Sequence, residues 1–384
     1  MGYIRADIEA MPDSPILEVW RMGVTIPGVI GLWAGEPDVP TPQFICDAAT
    51  AALNAGKTFY THNRGIPELR EAIARYLNRL YGANIADGRI AVTSAGINAV
   101  QIVCQALLGS GSKAVAVTPS WPNVIRAMTI SGATVTEVPL GRGGNGWSLD
   151  LEAVYEACVP RTKMIYLASP ANPTGWMIGR EQAQALLDFA RARDIAILAD
   201  EVYHRIVYDR PVAFSFLEIA RSDDAVFVLN SFSKSWAMTG WRLGWLVYPE
   251  WFMPVSQKLI EFNTSSAPLF LQYGAVAALD HGEVFVAEFV ARCAAGRQVI
   301  TRRLAQIPRV QEIPSDGAFY SMFEVEGVRD TLAFCQQTVK SAHVGLAPGS
   351  AFGAGAETLI RLCYAKSENL LDEAMDRFEK YLSA

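Results

Sequence analysis

The 384-residue sequence holds only four histidines and six cysteines, and neither type falls at metal-ligand spacing. No H-E-x-x-H or C-x-x-C motif occurs, so no metal site is expected. Cys46, Cys104, Cys158, Cys293, Cys335 and Cys363 then read as reduced, mostly buried thiols. Any electrophile needed for chemistry must come from elsewhere. Charged residues make up only 19% of the chain and form no long like-charge blocks, which excludes disorder and low-complexity linkers. There is no basic excess: 33 Lys and Arg against 39 Asp and Glu leave a net charge of −6, which repels nucleic acid and anionic membranes. Long apolar runs are missing too. The longest, such as 269–279, are too short to span a bilayer, and the start carries no apolar signal core, so a cytoplasmic location is expected.

What the chain does have is hydrophobic residues, 51% of the total, enough for a large core and for two domains. From about residue 89, short β-branched runs alternate with helical patterns. Strands are predicted at 89–93, 113–118, 134–138, 163–168, 195–199, 226–230 and 243–247. Helices are predicted at 97–108, 123–130, 180–193, 250–262 and 269–279. This is the pattern of an α/β domain with a mostly parallel seven-stranded sheet between helices. Beyond it come a helix at 284–304, strands at 318–325, 343–346 and 358–364, and helices at 331–340 and 367–381, the pattern of a smaller α+β layer. The first 45 residues, broken by prolines, are too irregular to stand alone. The expected organisation is an N-terminal segment 1–45 packing with the small domain, a large domain 46–283 and a small C-terminal domain 284–384.

In an open α/β sheet, ligands lie beyond the carboxyl ends of the strands, so the strand ends are the places to inspect. Lys234 lies in the run Ser231-Phe232-Ser233-Lys234-Ser235-Trp236, with Trp241 and Arg242 close behind. An ammonium flanked by Phe232, Trp236 and Trp241 is partly desolvated, which lowers its pKa and favours imine formation with an aldehyde. Taken alone, the same lysine also reads as one that snorkels at a strand end. Asp200 closes an apolar strand and needs a partner, for which a protonated ring nitrogen is one candidate. Asn172 sits in Asn172-Pro173-Thr174-Gly175, a turn that can aim its amide at a ligand. Arg361 is a lone charge in an apolar strand, costly there unless paired.

In order along the chain, Gly35-Glu36-Pro37, Tyr60-Thr61, Gly65-Ile66-Pro67-Glu68-Leu69-Arg70, the Asn172 turn, Asp200-Glu201-Val202-Tyr203, Ser231-Phe232-Ser233-Lys234 and Arg361 resemble the motifs of the class I and II, fold-type I aminotransferases. The resemblance runs nearly end to end. It implies pyridoxal 5'-phosphate as cofactor and transfer of an amino group from an L-amino acid to a 2-oxo acid by a ping-pong cycle. Lys234 would hold the cofactor as an imine and then move the α-proton. Asp200 would keep the ring nitrogen protonated, Asn172 and Tyr203 would hydrogen-bond its phenolic oxygen, and Trp121 would stack on the ring. Backbone N–H groups of Ala95 and Gly96, the hydroxyls of Ser231 and Ser233, and Arg242 would bind the phosphate, joined by Tyr60 from the other subunit of a homodimer. Arg361 would grip the substrate carboxylate, with Gly35 leaving room for it.

The resemblance leaves substrate choice open. Some bacterial aspartate enzymes of the family carry a lysine where this chain has Ile97, and others an arginine where it has Phe262. Neither cation is present, which favours a neutral or apolar side chain, although Arg64, Lys57 or Arg21 could substitute. His62 and His204 read as supporting or surface imidazoles, and Trp176 and Met177 as core. A second reading keeps the cofactor and changes the reaction to β-elimination at a carbon–sulfur bond, decarboxylation or cyclisation. A third is a cofactor-sensing regulatory domain without catalysis, disfavoured by the acidic charge.

Overall fold

The seven strands expected in the large sheet all form. In the computed structural model, which describes residues 2–144 and 146–383, they are β1 (Ile90–Thr93), β2 (Lys113–Thr118), β3 (Thr134–Pro139), β4 (Thr162–Ala168), β5 (Ala196–Asp200), β6 (Val226–Ser231) and β7 (Gly244–Val247). Their order across the sheet is β1-β7-β6-β5-β4-β2-β3. All neighbours are parallel except β7, which runs antiparallel to both β1 and β6. Every residue of β1, β5, β6 and β7 is buried, so both faces of that side of the sheet are covered. That is why these strands read as unbroken apolar runs, while the edge strand β3 alternates toward solvent.

The C-terminal layer is a four-stranded antiparallel sheet of β8 (Val310–Ile313), β9 (Tyr320–Val325), β10 (Ala347–Pro348) and β11 (Leu359–Cys363), in the order β8-β9-β11-β10. The expected strand at 343–346 is shorter. His343 adopts a left-handed conformation at the end of the preceding helix, and only Val344–Gly345 is extended, pairing with Ile30–Gly31 near the N-terminus. This ladder ties the N-terminal segment to the C-terminal layer.

Besides the single turn Ala6–Glu9, three longer helices near the N-terminus were not expected. Pro15–Gly23 and Pro67–Tyr81 both begin with proline at the first helical position, where its missing N–H costs nothing. The third is Gln43–Asn54. The first helix is capped by the Ser14 hydroxyl and the second ends on Gly82 in the left-handed region. The segment expected as a helix at 250–262 opens with a 3₁₀ turn, Glu250–Phe252, and is α-helical over Met253–Thr264.

Candidate active site

Strand register brings distant residues together on one rim of the large sheet. Ala168 at the end of β4 pairs with Asp200 at the end of β5, and Asp200 with Leu229 in β6. Because β7 runs the other way, its first residue, Gly244, lies between Ser231 and Thr93 at the same rim. A cleft opens there, lined by Gly35, Gly96, Trp121, Asn172, Asp200, Tyr203, Ser231, Ser233, Lys234, Arg242 and Arg361. Ala95 stands just behind it as the N-cap of the helix Gly96–Leu107, with φ at +83°, a conformation that costs a non-glycine residue on the order of 1 kcal/mol and is tolerated mainly at functional turns. Tyr60 lines no part of this cleft and is 91% exposed.

Lys234 follows β6 in a one-turn helix, Phe232–Ser235, capped by the Ser231 hydroxyl. Its Nζ donates to the Gly35 carbonyl at 2.6 Å and lies 5.8 Å from the Tyr203 ring centroid and 6.0 Å from that of Phe319. Burial lowers the ammonium pKa to about 8, and the charges of Arg361 and Arg242 push the same way. The expected desolvation is present, but its expected source is not. Phe232 and Trp236 point into the core and pack with Trp245, while the Trp241 indole donates to Thr41. Spatial neighbours from Tyr203 and Phe319 replace the sequence neighbours.

Asp200 is buried, accepting from the Val202 N–H at 3.2 Å and the Tyr166 hydroxyl at 3.4 Å. No cation pairs with it among the described residues. Burial pushes its carboxyl up to about 6, against the opposing pull of those hydrogen bonds and of the Lys234 charge. Arg361, in β11, is 3% exposed and also lacks a carboxylate partner among the described residues. Its Nη1 donates to Asn172 Oδ1 at 3.0 Å and its Nη2 to the Trp33 carbonyl, its Nε has no partner, and the guanidinium stacks 4.5 Å from the Tyr320 centroid and 4.9 Å from that of Phe352. Thus a buried acid and a buried guanidinium share one cleft, each without an ion-pair partner among the described residues.

The sequence profile of the family "Aminotransferase class I and II" matches residues 27–378. An aspartate aminotransferase of Pyrococcus horikoshii is 32% identical over 383 residues, covering 99% of this chain and 97% of its own. An aromatic-amino-acid aminotransferase of Thermococcus litoralis is 31% identical, covering 98% and 97%. The crystal structure of the aspartate aminotransferase of Thermotoga maritima superposes with a TM-score of 0.91 at 34% identity, covering 99% of this chain and 100% of that one. The chain belongs to the class I and II aminotransferases. It is a pyridoxal-phosphate-dependent enzyme of transamination, and its seven-stranded sheet is that of the fold-type I architecture.

The donor set of this aminotransferase fits that cofactor. At one end of the cleft the N–H groups of Gly96 and Ile97 open a 12-residue helix without an acceptor among the described residues, beside Ser231, Ser233 and Arg242, as an anion requires. Near the middle the unpaired Asp200 offers a buried counter-charge for a protonated ring nitrogen. Arg242 is itself in the left-handed region, at φ +52°, with Nη1 donating to the Thr239 carbonyl at 2.7 Å.

Other expectations need correction. Arg64 does not offer a free charge to a substrate: it is buried, and its Nη1 donates to the Gly88 and Ile90 carbonyls and the Tyr248 hydroxyl at 3.0, 3.3 and 3.2 Å. Lys57 lies 5.9 Å from the Tyr273 ring centroid, outside the cleft of its own chain, and Arg21 is exposed on the first helix. His62 is exposed, but His204 is fully enclosed between the Tyr76 hydroxyl at 2.8 Å and Asn230 Nδ2 at 3.1 Å, and burial keeps it neutral by lowering its pKa to about 3. Trp176 is core, as expected. Sequence reasoning missed Ile16, Trp33, Val202 and Tyr320 in the cleft wall. Of these, Val202 was within reach, because it lies between Asp200 and Tyr203.

Proposed function

We propose the following roles for the aminotransferase's own residues. When bound, pyridoxal phosphate supplies an aldehyde for an amine and a cationic ring that draws electron density from the substrate's α-carbon. Lys234 Nζ holds the cofactor between turnovers. When not holding the cofactor, Nζ would take the proton from the substrate's α-carbon. Asp200 keeps a proton on the ring nitrogen. Asn172 uses its Oδ1 to accept from Arg361, which leaves its amide N–H free to donate to the cofactor's phenolic oxygen together with Tyr203. Trp121 stacks against the ring. Ala95, Gly96, Ser231, Ser233 and Arg242 hold the phosphate, and Arg361, with the Gly35 backbone alongside, receives the substrate carboxylate in a two-point grip.

The supporting observation is the pairing in one cleft of a half-buried amine, its pKa lowered to about 8, with a buried carboxylate that has no ion-pair partner among the described residues. Neither state is comfortable in an empty protein interior, and a cationic ring bearing an aldehyde relieves both.

The enzyme works as a homodimer in the cytoplasm, with Tyr60 completing the phosphate site of the partner. Support comes from Phe59 and Tyr60, 79% and 91% exposed, and from Phe262 at 85%, aromatic surface that a monomer would leave in water. The free, mostly buried thiols suit a reducing compartment. The separate sheets support division into a cofactor-binding domain, 46–283, and a smaller domain of 1–45 with 284–384.

The test is to mix holoenzyme with one L-amino acid and no acceptor. Transamination changes the absorbance of the bound cofactor once and then stops until a 2-oxo acid is added. Continuous release of product from the amino acid alone would overturn the reading.

A further inference from the structure

Beyond the Arg361 fork, the cleft continues outward along a wall of apolar side chains. Ile16, Trp33 and Ile97 line its inner part beside Trp121. Leu17 and Trp20 carry the wall to the surface, where they are 40% and 41% exposed. Ile16 and Trp20 lie four residues apart and so share one face of the helix Pro15–Gly23, which Val19 anchors in the core.

Trp33 is the fixed piece of this wall. Gly23, Gly31 and Gly345 surround its indole, and a Cβ at Gly23 or Gly345 would overlap the ring. Three segments thus leave out a side chain so that one indole can lie flat between them, and its own carbonyl is tied to Arg361. The indole is thus fixed as a buried backing to the wall, only 6% exposed.

Charge points the same way. The cations lining the cleft among the described residues are Lys234, Arg242 and Arg361, and each already has a task in the roles proposed above. Arg64 is locked to backbone carbonyls. A second carboxylate on the substrate would lie against indole and alkyl groups with no opposite charge, a strongly unfavourable burial.

We propose that this aminotransferase selects L-amino acids with large apolar side chains, aromatic or long and branched, over aspartate, and that Ile16, Ile97 and Trp20, backed by the buried Trp33, form the surface that recognises them. The inference rests on the reading of Lys234 and Arg361 given above, because those two residues fix the direction in which the substrate's side chain points.

The experiment is a half-reaction on holoenzyme, following bound-cofactor absorbance with L-phenylalanine, L-leucine, L-alanine and L-aspartate. Phenylalanine and leucine should each exceed aspartate by about 100-fold or more in second-order rate constant, because burial of a large apolar side chain favours them and an unpaired carboxylate is rejected. Trp20→Ala should lower the phenylalanine-to-alanine ratio about tenfold, since alanine is too short to reach the outer wall. A wild-type preference for aspartate, or an unchanged ratio in Trp20→Ala, overturns the proposal. Reaction with none of the four would instead overturn the reading on which it rests.

Discussion

The hydroxyl oxygens of Tyr203 and Tyr320 lie 2.6 Å apart in the cleft, one donating to the other. Burial pushes both phenols above their ordinary pKa, so both stay neutral. If Tyr320 donates, Tyr203 keeps its own proton for the cofactor's phenolic oxygen. Tyr320→Phe should then weaken that second bond. The expected result is a rise of roughly half to one pH unit in the spectroscopic titration of bound cofactor, a change of about 1 kcal/mol. An unmoved titration would mean that Tyr320 only fills space.

Arg361 is positioned by Asn172, the Trp33 carbonyl and two aromatic faces, leaving its buried Nε without a partner. Arg361→Ala should lower kcat/KM for amino acids by about 10²- to 10³-fold, the usual range for losing one side of a buried charged pair. Arg361→Lys keeps the charge but not the planar fork, and should fall between the variant and wild type. Steady-state kinetics read both, and equal activity of wild type and Arg361→Ala would rule out the proposed carboxylate grip.

The Lys234 pKa sets a pH dependence with a definite sign. Only the neutral amine attacks an aldehyde, and burial places the transition at about 8 where an ordinary lysine has 10.5. Uptake of pyridoxal phosphate by cofactor-free protein should therefore accelerate with rising pH and level off a little above 8. An exposed lysine would keep accelerating past 10. The depressed pKa also means that the unfolded chain holds this proton longer, so between about 8 and 10.5 Lys234 contributes a gain in cofactor-free stability as pH rises. Stopped-flow uptake and thermal melts across that range, compared with Lys234→Ala for the melts, check both signs.

Gly244 begins β7 at the crowded point of the site. A Cβ there would lie 2.7 Å from the Asn230 carbonyl oxygen, 2.9 Å from the Gly96 nitrogen and 3.0 Å from the Ala95 carbonyl carbon. All three are backbone atoms and cannot rotate away. Gly244→Ala should displace the turn that presents the Gly96 N–H, costing about 1–3 kcal/mol of stability. Cofactor affinity should fall about tenfold, measurable by equilibrium dialysis, and the melting temperature should drop. Wild-type values for both would show that the turn tolerates the displacement.

Much of this was legible in the sequence, for identifiable reasons. Strands β1 to β7 are short β-branched runs closed by polar residues, and the rule that ligands gather at carboxyl ends picked out Asp200, Ser231 and Lys234 before any coordinates. Pro15 misled because proline punctuates loops and also opens helices, and composition alone does not separate the two. The partners of Lys234 were misread because Phe232–Ser235 is a helical turn, in which Phe232 and Trp236, four residues apart, share a face that turns into the core, away from Lys234. Trp33 could not have been found this way. Its importance depends on Gly23, Gly31 and Gly345, which only the fold assembles, and on a backbone carbonyl that has no sequence signature.

The central claim is that one amine, Lys234 Nζ, holds the cofactor. Reduction of the holoenzyme with borohydride, followed by proteolysis and mass spectrometry, reads this directly. The account predicts a pyridoxyl label on the peptide containing Lys234, and its loss in Lys234→Ala. A label on another lysine, or one that persists in Lys234→Ala, would contradict it.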